Sequence, residues 1–121
     1  MTIAGQNFEI YQGDKRLVII TVVDDDGAVQ DLTGYDAVWV AFNQTPDDIV
    51  LTKTSTPASG ITIPTPENGE IVIEFNKQDT EDLHAKNYGH QCEIMDSSGN
   101  HHTVATGYMK VLKSIIHRFL H

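Results

Sequence analysis

What most constrains this chain is how soon each of its apolar runs is stopped. Short β-branched and aromatic runs follow one another with Gly, Asp, Asn or Pro between them, the pattern of strands joined by turns. Phe8 to Tyr11 is a short strand candidate closed by Gln12-Gly13-Asp14. Lys15 to Val23 (KRLVIITVV) is apolar at both sets of alternating positions, so a central strand covered on both sides is expected there. Asp24-Asp25-Asp26-Gly27 ends it, with Gly27 supplying positive φ. Ala37 to Asn43 alternates Val38, Val40 and Phe42 against Ala37, Trp39 and Ala41. Ile49 to Thr54 follows a Thr45-Pro46-Asp47-Asp48 turn, and Ile61 to Ile63 lies between Gly60 and Pro64. Glu70 to Phe75 places Ile71, Ile73 and Phe75 on one face and Glu70 and Glu74 on the other. Asn76 to Leu83 breaks the pattern and reads as one helical turn capped by Asn76. Tyr88 to Met95 and Thr103 to Leu112 flank Asp96-Ser97-Ser98-Gly99-Asn100, a five-residue hairpin loop. With no βαβ alternation and no internal repeat, the expected fold is an all-β sandwich of seven to eight antiparallel strands with one short helical turn.

The 121 residues amount to one domain, expected over 1–112, followed by a tail at 113–121. No apolar run approaches the roughly 20 residues of a membrane span, and no signal peptide is visible from Met1 to Tyr11. One cysteine, Cys92, cannot form an internal disulfide, which fits a protein matured in a reducing cytoplasm. The formal charge of −9, from 8 basic and 17 acidic residues, would repel a phosphate backbone, so no nucleic-acid partner is expected. That charge is uneven. Every Asp and Glu lies at or before Asp96, while Lys110, Lys113 and Arg118 fall in the last dozen residues.

The chemistry-bearing residues make few patterns. His90 and Cys92 share a strand face at a spacing a metal could use. If Asp96 pairs with His101, Cys92 faces Ala105 and His90 faces Gly107. His101 and His102 then lie about 10 Å along the strand, too far to complete a ligand set. No metal is therefore expected: Cys92 is read as a small core residue and His90 as a core-edge ring over Gly107. Asp24, Asp25 and Asp26 lack the spacing and the distant bidentate Glu of a calcium loop and read as a solvated turn. Ser55, Ser59, Ser97 and Ser98 carry no nucleophile motif, and no glycine-rich phosphate loop occurs, so neither an enzyme nor a cofactor is expected. In the tail, Ile115 with Phe119 and Ile116 with Leu120 are spaced i, i+4 beside Lys113 and Arg118. These six residues form either a docking arm for an acidic or apolar partner groove or a flap over the end of the domain itself.

The order of these signatures resembles small immunoglobulin-like structural proteins of tailed bacteriophages. It runs from Tyr11-Gln12-Gly13-Asp14 through Leu17 to Gly27, Asp31-Leu32-Thr33-Gly34, Gly60 to Ile63 and Gly69 to Ile73. It continues through Asp79-Thr80, Leu83, Tyr88, Glu93 to Asp96 with Gly99, and Thr106-Gly107. The pattern is similar to the N-terminal domain of phage baseplate upper proteins over about residues 8–112, without the long extension those proteins use to hold a receptor-binding partner.

The resemblance implies an immunoglobulin-like β-sandwich and a virion structural role in the head, neck, tail or baseplate, or as a fibre-holding module. It implies partners among other virion proteins, a homo-oligomer, assembly in the host cytoplasm, and no membrane or small-molecule substrate. A capsid decoration protein is the alternative within that class. A carbohydrate-binding or adhesive module is the alternative outside it. That reading is disfavoured because Trp39, Phe42, Phe75 and Tyr88 fall in strands and only Tyr35 is a loop aromatic.

Overall fold

The computed structural model describes residues 4–115. In chain order the elements are β1 (Ala4–Gly5), β2 (Phe8–Tyr11), β3 (Arg16–Thr21), β4 (Asp36–Phe42), β5 (Ile49–Thr54) and β6 (Ile61–Thr62). A 3-10 turn (Pro66–Asn68), β7 (Glu70–Phe75), α1 (Lys77–Thr80), β8 (Asn87–Met95) and β9 (His101–Leu112) complete them. The strands form two sheets. The larger runs β1-β9-β8-β4-β5 with β2 also on β9, and the smaller runs β3-β7-β6.

Alternation explains how the sheets meet. Successive side chains of a strand point to opposite faces, so one row per strand is buried. Ala37, Trp39 and Ala41 of β4 and Cys92 and Ile94 of β8 face Val18, Ile20, Ile71, Ile73 and Phe75 of the small sheet in one core. Trp39 meets Phe75 edge to face, with ring centroids 5.2 Å apart at 87°, so the largest buried side chains clasp the two layers together. The helical turn falls where Asn76 and Asp79 place it. Asp79 accepts a hydrogen bond from the Asn76 backbone N–H at 2.7 Å, holding α1 at the end of β7.

Three strand expectations are corrected. The strands are not all antiparallel, because β1 and β2 pair with β9 in parallel, in one register. Hydrophobic alternation carries no sign of strand direction, so the sequence could not distinguish these arrangements. The interruption between β1 and β2, at Gln6 and Asn7, lies beside Gly107, where a Cβ would collide with the Gln6 carbonyl.

Second, β3 is not a central strand covered on both faces. It is an edge strand of the small sheet, with Val18 and Ile20 buried and Leu17 and Ile19 about half exposed. Third, the β8–β9 hairpin pairs Met95, not Asp96, with His101. A bulge opposite Cys92/Glu93 then buries both Val104 and Ala105 and restores Cys92 to Ala105 and His90 to Gly107.

Candidate functional site

The residues first suspected of chemistry form the core's polar tie. Trp39 Nε1 donates to His90 Nδ1 at 3.1 Å, which makes Nδ1 the unprotonated nitrogen. The Nε2–H is then left to donate to the Gln6 carbonyl. The ring is neutral, buried, and packed between Phe8 and Trp39, with centroid distances of 5.2 and 5.8 Å. Burial holds His90 below the ordinary imidazole pKa. Cys92 is fully buried beside it in sequence, and burial pushes its thiol up to about 12, so it packs as a small apolar residue. Among the described residues no three His, Cys, Asp or Glu side chains are grouped to hold a metal ion.

Asp24 closes a turn with its own carboxylate. Its Oδ1 accepts from the backbone N–H groups of Asp26 and Ala28 at 2.9 and 3.0 Å. Asp96 repeats this at the β8–β9 hairpin, accepting from Ser98 and Asn100 at 2.9 Å each. In both turns the fourth residue is a glycine in the left-handed region, Gly27 at φ 85° and Gly99 at φ 86°. The bonds from Asn100 are the main reason Asp96 sits below the usual carboxylate range.

The tail leaves the domain at a defined place. Gln12 donates its backbone N–H to the Leu112 carbonyl at 2.9 Å. Its side chain accepts from Ser114 N–H at 3.3 Å. The same side chain donates to the Leu83 carbonyl at 2.8 Å, and Gly13 N–H donates to Thr80 Oγ1 at 3.0 Å. These bonds hold the β2–β3 turn, the α1 end and the chain's exit from β9 together. Lys113 and Ile115 are exposed just beyond, Ile115 to 68%. Ile116, Arg118, Phe119 and Leu120 lie outside the described residues.

A second surface was missed. On the outer face of the small sheet Leu17 is 56% and Ile19 50% exposed, and their cross-strand neighbours on β7 are Glu74 and Val72. Thr21 follows, paired with Glu70, and Val29 stands exposed next to both. The result is an apolar stripe bordered by glutamates. The signal was present in KRLVIITVV, whose two apolar faces can mean cover on both sides or an outward face left for a partner.

A comparison of the sequence with protein-family models and with curated proteins returns no match.

Proposed function

We propose that the two sheets form an immunoglobulin-like sandwich and that the protein is a non-enzymatic structural component of a tailed-phage virion, working through protein–protein contacts. The observation that carries this reading is the exposed Leu17–Ile19 stripe with Glu70 and Glu74 along it. An apolar stripe on an edge strand is costly to leave in water and is what a docking face requires. The tail offers the complementary chemistry, with Lys113 and Arg118 set among Ile115, Ile116, Phe119 and Leu120. A basic, apolar arm from one copy matches an acid-bordered apolar stripe on another, a head-to-tail contact that builds rings or lattices. The order of turn and strand signatures shared with phage immunoglobulin-like proteins supports a particle as the place where such contacts are used, assembled in the host cytoplasm.

The test is to purify particles from the host that carries this gene and locate the chain by labelled antibody in electron micrographs. Label at the neck, tail or baseplate is the expected result. Label spread over the head surface would select the capsid decoration role. A chain found only in the soluble lysate, with none in the particles, would contradict the virion reading.

A further inference from the structure

We propose that the outer face of the large sheet carries a binding groove for a neutral saccharide, an activity separate from the protein contacts above. The groove is centred on one cross-strand row in which Phe42 pairs with Gly89 and Gly89 with Tyr108. The two aromatic residues are two strand spacings apart, about 10 Å, and the glycine between them leaves a floor without a side chain. The Phe42 ring is seated on that floor, where any Cβ on Gly89 would collide with it. Tyr108 stands at the other side, 61% exposed, and is the wall shared with a neighbouring cleft between Phe8 and Lys110. Gln44, Asn87 and Gln91 supply primary amides around the row, and Gln91 Nε2 donates to Thr103 Oγ1 at 3.2 Å.

Three features point to a sugar. The groove, of about 510 Å³, is in the range of small-ligand clefts, yet no Asp, Glu, Lys or Arg lines it on a chain of net charge −9. Amides both donate and accept, as sugar hydroxyls do, and a ring face packs against the C–H surface of a pyranose. Strand addition is closed here as well: β8 lies between β4 and β9, and β9 between β8 and the β1–β2 edge. Any ligand must therefore be read by side chains and not by a free backbone edge. Tyr108 is an aromatic of a strand that is nonetheless open to a ligand, because a strand position on an outer face does not bury its side chain.

The experiment is a screen of the full chain on an array of neutral and acidic glycans. It is followed by ¹⁵N–¹H titration with cellohexaose, maltohexaose and chitohexaose, and with a neutral Gly/Ser/Asn peptide. A neutral saccharide should shift the amides of Gly89, Gln91 and Tyr108 saturably. Tyr108→Ala should weaken it about tenfold, Tyr108→Phe should bind as the parent does, and Thr62→Ala, exposed on the small sheet, should leave saccharide binding unchanged. An unchanged spectrum away from the groove shows that Tyr108→Ala is folded. The proposal is overturned if no neutral glycan binds in either assay, if Tyr108→Ala binds as well as the parent, or if only the peptide or acidic glycans move those amides.

Discussion

At the scale of single residues, the fold depends on a histidine that must stay neutral. His90 Nδ1 can accept the Trp39 N–H only while unprotonated, and its Nε2–H faces the Gln6 carbonyl. Its folded pKa lies below the ordinary value of about 6.5, so as the pH falls the unfolded chain takes up the proton first. The stabilisation is complete above about pH 6.5 and is lost as the pH falls from there toward the folded pKa. Urea unfolding followed between about pH 7.5 and pH 5 should show a falling midpoint, and His90→Gln should flatten that dependence. An equal slope in the variant would show that other groups control it. His90→Ala should cost about 3 kcal/mol, since it opens a cavity and strands the Trp39 donor and the Gln6 acceptor.

A second buried pair escaped notice in the sequence altogether. Lys53 lies on the inner face of β5, its Nζ 2.6 Å from Asp79 Oδ2 and 5.7 Å from the Phe75 ring centre. Asp79→Ala leaves that ammonium buried and alone and should cost about 3 kcal/mol. Lys53→Met should cost less, because Asp79 is more exposed and keeps the Asn76 N–H. Chemical denaturation of both variants checks the order. A lysine in an alternating strand reads as an outward residue, and only the fold shows Asp79 approaching from α1.

At the scale of elements, one turn design appears twice, and it was half legible. Asp-x-x-Gly marks both places, but the carboxylate's two backbone bonds depend on geometry that the spacing alone does not state. A Cβ on Gly27 or Gly99 meets nothing within 4 Å, so replacement with Ala is opposed by backbone conformation alone. Gly27→Ala and Gly99→Ala should each cost about 1–2 kcal/mol, and nearly the same amount as each other, in thermal or urea unfolding. Strand positions were readable wherever an inner row alternates cleanly, as from Ala37 to Ala41 and from Ile71 to Phe75. Strand direction was not, because the parallel pairing of β2 with β9 is a long-range choice that leaves no local mark. The role of β3 was misread for a related reason. Leu17 and Ile19 are apolar like core residues, and the sequence cannot say whether the layer covering them belongs to this chain.

At the scale of the whole molecule, the two sheets divide the surface into faces of different character. The small sheet's outer face is apolar and bordered by glutamates, and the large sheet's outer face holds an uncharged groove. The basic, apolar tail leaves from the end where Gln12 and Gly13 tie β2 to β9, to Thr80 of α1 and to Leu83. Of the tail residues singled out in the sequence, Lys113 and Ile115 stand exposed at that exit. The stripe they are proposed to meet on another copy became visible only when β3 took its place at an edge.

Tail-on-stripe assembly is tested by sedimentation of the full chain beside a chain ending at Leu112 and a full-length Leu17→Asp/Ile19→Asp variant. The expected result is a defined oligomer for the full chain, folded monomers for each of the other two alone, and a heterodimer when the truncated chain, as stripe donor, is mixed with the double variant, as tail donor. Identical folded monomers in all three cases would contradict tail-on-stripe assembly.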